Sequence, residues 1–386
     1  MDIVADTASY ESWLGQFCSL YAPDVEYKHA KMSDPRDPFP FFRGTYYRWA
    51  KQWPEICPEL QDAPRPLAVG DLHVENYGTW RDADGRLCWG VNDFDEADDL
   101  PYTNDLVRLA ASARFAKKSG SITVKFRDAC AAILDGYRGC LAAGGRPFVL
   151  EERHPHLRAV AISDEREPGE FWPKLTRHLA EPDAEPPPGA REALLRNLPG
   201  EGLTPAIRFR TRVGMGSLGK PRYVALVEWY GGWVARETKI VTPPATAWAT
   251  GRAEPNPSRM AEIVTRAIRC HDPFYRPGPE WISRRLGPRC SRIELSCLAA
   301  GDGKRVLRAM GAELANIHLG TPRVAVQVLL DLNHRPPGWL EAAAQAMTAA
   351  VRREWVAWRA AFPLPKSRRQ ATKLNSNPPT PGEVTG

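Results

Sequence analysis

"PLAVGDLHVENYG" (residues 66–78) and "RLCWGVNDFDEADD" (residues 86–99) are two short apolar runs, each ending in a polar turn that carries acids. The turn "RDADGR" at 81–86 separates them, so the pattern predicts two strands that deliver their acids to one end of a sheet. An acidic loop after a strand is ordinarily a solvated turn. What sets this pair apart is the joint arrangement of Asp71, Asn76 five positions on, and then Asp93 and Asp95 from the second strand. An Asp, an Asn and a second Asp suit magnesium, which takes few protein oxygens and leaves its other positions to phosphate and water. A carboxylate left off the metal can orient an attacking hydroxyl. The expected chemistry is phosphoryl transfer.

"GDLHVEN" resembles the catalytic loop of the protein-kinase-like superfamily, in particular the H-G-D-L-H-x-x-N of its aminoglycoside phosphotransferase branch. "NDFDEA" resembles that branch's metal-binding I-D-F-D-x-A. The resemblance implies Asp71 as catalytic base, Asn76 as a metal ligand, and Asp93 as the principal metal-binding aspartate with Asp95 close enough to assist. "PYTNDLVRLA" (101–110) matches the Y-D-L-A that follows in such enzymes, which implies that Asp105 braces the catalytic loop from the start of a helix. One position departs: the His before G-D is Val69 here, so the support that imidazole provides must come from elsewhere. His73 matches the His inside the motif and reads either as a packing residue or as a direct ligand.

The order of parts is unusual for a kinase. Only 69 residues precede Gly70, and they contain just Gly15 and Gly44, so a nucleotide lobe has no glycine-rich loop to use there. "VGMGSLGKPRYVAL" (213–226) resembles a phosphate-covering loop, with Gly214, Gly216, Ser217 and Gly219 letting backbone N–H groups approach phosphate between two strands. On the next strand, "WVARETKI" (233–240), Arg236 aligns with the phosphate-pairing lysine and Lys239 follows three positions on. An Arg is no neutral exchange there, because its planar fork approaches phosphate differently. Glu262, on the following helix, is the candidate partner for that cation. "LRAMGAELANIHLG" (307–320) resembles the helix that in kinases runs directly into the catalytic loop. Joining its end to "PLAVGDLHVEN" restores the usual order, which implies a circular permutation. The series F-x-R-G, G-D-x-H-x-x-N, N-D-F-D-E and G-x-G-S-x-G is similar to a bacterial family known as domain of unknown function 2252, from "FFRG" to "ANIHLG".

The expected fold is therefore α+β, a two-lobed kinase-like fold in permuted order. Residues 1–66 form an arm, 67–200 the catalytic half, 201–300 the nucleotide-binding sheet and helix, 301–362 closing helices, and 363–386 a basic, disordered tail. In the arm, prolines favour extended chain before a helix at 45–53. Helices follow from Asn104, from Thr123, from Ser258 as a cap, and from Leu340. "EPDAEPPPGA" (181–190) reads as a linker, and "EWISRRL" and "SRIELSCL" as strands. Expected cofactors are ATP and Mg2+, and the partner is an acceptor, small molecule or protein. Arg43 of "FFRG" reads as a structural Arg over aromatic surface or as a phosphate or substrate contact.

Composition narrows the alternatives. With 386 residues, 43% hydrophobic and 25% charged, the chain can bury a sizeable core, and its net charge of +6 suits a phosphate-bearing small ligand at least as well as a nucleic acid. No nucleic-acid or membrane partner is expected, since no run approaches the roughly 18 apolar residues of a membrane span. The eight cysteines contain no C-x-x-C and no tight His/Cys cluster, which argues against a zinc enzyme, and they read as reduced thiols of a cytoplasmic protein. "GMGSLG" places its Ser one position late for a nucleophile elbow, and "LNHR" (332–335) is the one Asn-His a two-metal phosphoesterase could use. Two further readings stay open: a nucleotidylyltransferase using the same constellation with the nucleotide flipped, and a catalytically impaired nucleotide-binding or scaffold protein, motivated by Val69 and Arg236. A cationic acceptor would want an acidic groove, which "DEADD", with Asp98 and Asp99, and "DEREPGE" could supply.

Overall fold

The computed structural model describes residues 2–118, 122–151, 153–162, 166–182, 185–200, 202–290 and 301–364. The aromatic arm folds as α1 (Ile3–Leu14), α2 (Ala22–Met32), α3 (Phe39–Gly44) and α4 (Tyr46–Ile56). Extended chain was the expectation just before residue 45, and α3 stands there instead. Its Pro40, like Pro23 of α2, lies in the first turn, where no intrahelical acceptor awaits the missing N–H.

The two acid-bearing segments come next. β1 (Leu67–Ala68) leads into Gly70, while β2 (Tyr77–Arg81) and β3 (Leu87–Val91) form a hairpin about the predicted turn. β4 (Asp98–Asp99) returns antiparallel to β1. The register that sets Tyr77 opposite Val91 brings both acidic loops out of the same end of the hairpin, where the Asn92 N–H donates to the Asn76 carbonyl at 2.8 Å. Two helices follow, α5 (Tyr102–Lys118), which is buried almost throughout, and α6 (Phe126–Ala142), which buries one face, and β5 (Phe148–Val149) adds to the free side of β3.

Beyond α7 (Pro155–Ala161) and α8 (Pro168–Thr176), a second sheet assembles from β6 (Leu179–Ala180), β7 (Ala206–Arg210), β8 (Arg222–Trp229), β9 (Gly232–Ile240) and β10 (Trp281–Leu286). It is antiparallel throughout, in the order β10-β9-β8-β7-β6. Alternation divides its faces. Ile207, Tyr223, Ala225 and Trp281 pack under α9 (Pro188–Leu195), and Val224, Ala235 and Leu286 pack against Leu175 of α8. The edge strand and both covering helices thus come from before residue 201. The prolines of the predicted linker serve as the start of α9, with Pro187 at the cap and Pro188 in the first turn.

After β9 come α10 (Ala245–Ala249) and α11 (Met260–Arg266), the latter before β10. Ser258 does not cap α11: its hydroxyl donates to the Phe94 carbonyl at 2.8 Å, because the chain there lies against the acidic loop. The strand expected at 291–298 lies outside the described residues, as does the tail from 365. The chain closes with α12 (Gly303–His318), α13 (Pro322–His334) and α14 (Trp339–Ala361). The architecture is mixed α+β. No helix among the described residues is long and apolar enough to cross a membrane.

α6 and α12 touch backbone to backbone. A Cβ on Gly136 would overlap the Arg308 carbonyl, and one on Gly311 would overlap that of Ile133. Overpacking of this kind costs about 1–3 kcal/mol, so Gly311→Ala is expected to lower the urea unfolding free energy by that amount.

Buried on α12, Glu313 accepts from the Val91 N–H at 3.3 Å and the Asn316 amide at 3.1 Å. Burial lifts its carboxyl to about 7, with Arg269, Asn316 and the Val91 N–H pulling the other way. Its contribution to stability is full below the unfolded value of 4.5 and is lost as pH rises towards 7. The difference amounts to about 3 kcal/mol by linkage. Glu313→Gln should therefore gain stability on wild type between pH 5 and pH 8, read by denaturant melts at both.

Candidate functional site

The loop after β1 is held from behind by the first turn of α5. The Asp105 carboxylate accepts the N–H of Val69 at 2.7 Å and of Gly70 at 3.0 Å. Gly70 sits at φ +80°, and a side chain there would collide with the Glu96 carbonyl, so only glycine lets the two acidic loops approach this closely. Asn76 ties them together: its amide nitrogen donates to the carbonyls of Asp71 at 3.3 Å and Asp93 at 3.0 Å. Two carbonyl partners fix the amide's orientation, so the Asn76 Oδ1 is the atom that can ligate a cation.

Val69, at the position of the missing histidine, is buried and apolar. An imidazole arrives from α12 instead. His318 is fully buried, with Nδ1 2.6 Å from the Tyr137 hydroxyl and Nε2 3.4 Å from the Asp105 carboxylate. Three residues on, the Thr321 hydroxyl accepts the Leu67 N–H at 3.1 Å, so the end of α12 lies beside the start of β1. His318 was not singled out from sequence. Its only signal was its place at the end of "ELANIH".

Asp71 is gripped by Arg108, one helical turn beyond Asp105. The Arg108 guanidinium is wholly buried and donates to Asp71 Oδ1 through Nε at 3.0 Å and Nη2 at 2.6 Å. It also donates to the Phe42 carbonyl at 2.8 Å and lies 3.7 Å from the Phe42 ring centre. Burial raises the Asp71 carboxyl above the usual carboxylate range, with Arg108 and then Arg43 opposing it. Its other oxygen, Oδ2, faces the glycine-rich loop, where a Cβ on Gly216 would stand 3.3 Å away.

That loop joins β7 to β8, with Gly214 at φ +74° and Gly219 at φ +94°. The arm pins it at both ends. Asp24 accepts the Arg212 N–H at 3.1 Å, and the Tyr21 N–H donates to the Gly219 carbonyl at 2.8 Å. Ser217 accepts from Arg222 at 2.8 Å. Together Asp71, His73, Asn76, Asp93, Asp95, the Gly214–Ser217 turn, Arg43 and Glu96 line one cleft that opens to solvent. Arg43 pairs there with Glu75 at 2.6 Å, and Glu96 accepts the Ala245 N–H at 2.6 Å. His73 meets the Phe39 ring edge-on at 6.3 Å.

The cation that reaches the acids is Lys239, not Arg236. Residues 237 and 239 share one face of β9, and residue 236 points to the other. Lys239 Nζ lies 3.2 Å from Asp93 and 2.5 Å from Asp95. Burial favours the neutral acid at Asp93, yet Lys239 and the neighbouring hydrogen bond from Asp95 hold it well below the usual range; burial and then Asp93 push Asp95 upward. Arg236 instead donates to the Asn197 carbonyl at 2.6 Å and stacks 4.4 Å from the Phe274 ring centre. Glu262 is also away from the cleft, paired with Arg259 at 2.8 Å and Arg266 at 3.2 Å on the surface of α11. Beside Lys239, buried Glu237 draws together Arg210, Arg222 and Arg284. Of the two acidic stretches, Asp98 is taken by Thr246 and Arg252 and Asp99 by Arg259, and Asp164 and Glu165 lie outside the described residues.

Residues 22–171 match a bacterial protein family. Its description is "Uncharacterized protein conserved in bacteria (DUF2252)", and the match runs from the first turn of α2 into α8, so it contains both acidic loops and α5 but not the glycine-rich loop or Lys239. No curated protein and no solved structure matches the chain.

The Asp105 hydrogen bonds can be tested directly. An Asn offers one acceptor oxygen where the carboxylate offers two, so Asp105→Asn leaves a buried N–H unsatisfied at a cost of about 1–3 kcal/mol. Faster hydrogen exchange at Val69 and Gly70, with a matching loss in urea midpoint, is the expected result.

Proposed function

We propose that the protein is an ATP- and magnesium-dependent phosphotransferase of kinase-like organisation, with its chain order circularly permuted. The observation that carries this reading is the convergence of Asp71, Asn76, Asp93 and Asp95 in one cleft beneath a glycine-rich turn, with Lys239 beside the acids. The permutation is supported by the end of α12, whose Thr321 hydrogen-bonds the start of the strand that leads to Asp71. In this reading the acidic loops, α5, α6 and the closing helices supply the catalytic half, and the five-stranded sheet, with β6, α8 and α9 contributed from before residue 201, supplies the nucleotide half.

Each residue has a task that its surroundings suit. Asp71 Oδ2 takes the proton of an acceptor hydroxyl as that oxygen attacks the terminal phosphorus and the bond to the β,γ-bridging oxygen breaks, releasing ADP, while Arg108 holds Oδ1 so that the carboxylate cannot turn away. Backbone N–H groups of the glycine-rich turn and the Lys239 ammonium face the phosphate oxygens. The all-oxygen donor set of Asn76, Asp93 and Asp95 fits a hard divalent cation, which when bound would neutralise phosphate charge. A lysine drawn between two carboxylates marks the same demand for positive charge.

One observation favours a second reading, nucleotidylyl transfer. A nucleobase is best held in an apolar slot, and the sheet face beside Lys239 presents Glu237 with three arginines. That face suits anionic groups, which is consistent with a nucleotide seated phosphates inward. The mass added to an acceptor separates the two: a phosphoryl group or a nucleoside monophosphate.

Calorimetry of ATP binding with and without magnesium tests the core of the proposal. Binding should require magnesium, disappear in Asp93→Asn, and weaken by about 10- to 100-fold in Lys239→Met, the worth of one charge-assisted contact. Absence of ATP binding under both conditions would sink the reading and leave a scaffold role as the better account.

A further inference from the structure

Away from the cleft, the fold gathers three metal-binding side chains that are far apart in sequence. Asp82 follows β2, Cys88 lies on β3, and Cys270 sits beyond the end of α11, yet their ligand atoms all fall within 4.8 Å of one another. We propose that Asp82, Cys88 and Cys270 form a binding site for a thiophilic divalent cation, with Zn2+ as the natural occupant.

Each donor is held in place by the surrounding structure. Cys88 is fixed in the sheet between Trp80 of β2 and Val149 of β5. The Trp80 indole donates to the Cys270 carbonyl at 3.0 Å, which sets that cysteine against the sheet. Asp82 is oriented by the turn it belongs to: one oxygen accepts the N–H of Asp84 at 3.1 Å and of Arg86 at 2.9 Å, and the other accepts Arg86 Nε at 2.8 Å. Hydrogen bonds of this kind orient a carboxylate ligand. The Arg86 side chain is half exposed, so it can yield its place on the carboxylate to a cation.

The chemistry distinguishes this site from the cleft. Two sulfurs and one carboxylate oxygen select a borderline-soft ion such as Zn2+, whereas the oxygen-only set at Asp93 selects a hard one. On binding, the two thiols release their protons to water and form two metal–sulfur bonds. The resulting three negative charges are balanced by the divalent cation and the Arg86 guanidinium. Cys270 is half-buried, which gives an ion a path from solvent to the two buried donors. An ion here would tie β3, the strand that delivers Asp93, to the segment after α11.

The test uses the full-length chain, reduced with a phosphine and titrated with Co2+. The expected result is one cobalt per chain with a thiolate-to-cobalt charge-transfer band, displaced by Zn2+, accompanied by a rise in Tm. Cys270→Ser should abolish the band, Asp82→Asn should weaken binding while keeping sulfur ligation, and Asp93→Asn should leave the band intact. Circular dichroism on each variant confirms that it is folded. The proposal is overturned if the reduced chain gives no such band, or if folded Cys270→Ser keeps it.

Discussion

Asp105 accepts two consecutive backbone N–H groups, those of Val69 and Gly70, and the geometry of the whole cleft follows from that pair of hydrogen bonds. Backbone donors buried without partners are costly, so this carboxylate determines where the loop must lie. Once Val69 and Gly70 are fixed, Asp71 projects toward the arginine one turn along the same helix, and Asn76 can reach back to the carbonyls of both acidic loops. His318 and Tyr137 complete the cluster from α12 and α6. A single helix, α5, thereby positions both the main chain of the loop and its acidic side chain.

Charge is handled differently on the two sides of the cleft. On the α-helical side Asp71 is paired with Arg108, while Asp98 and Asp99, outside the cleft, are paired with Arg252 and Arg259. On the sheet side cations outnumber acids around Glu237, and Lys239 bridges to the helical side through Asp93 and Asp95. The arm closes the arrangement, since α2 pins the glycine-rich loop at Arg212 and Gly219 and thereby sets Gly216 against Asp71. Residues far apart in the chain therefore meet at one carboxylate.

Much of this was readable beforehand, and the failures have specific causes. The apolar runs at 67–69 and 87–91 and the helical periodicity from Asn104 placed the acidic loops correctly, because strand alternation and helix spacing are local properties. The arm was harder: prolines argue against a helix in its interior but favour its first turn, and the sequence alone did not show which applied at Pro40. Arg236 was preferred over Lys239 by alignment to a motif, whereas the face a residue occupies depends on the register of β9 against β8 and β10. Arg108 was not singled out from sequence, and nothing near it there announces Phe42 or Asp71 as partners.

By itself the sequence determined the local pieces: strands ending in acids, a glycine-rich bend between two strands, helices with their apolar stripes, and a +6 chain suited to an anionic ligand. These depend on neighbours within a few positions, where backbone sterics and side-chain periodicity act. Only the tertiary structure decided which cation faces the acids, that His318 from the far end of the chain stands behind Asp105, and that Cys88 and Cys270 are neighbours. Those are encounters between segments separated by up to about two hundred residues, and they are set by sheet register and by the close packing of α6 on α12, neither of which is written in any single stretch of chain.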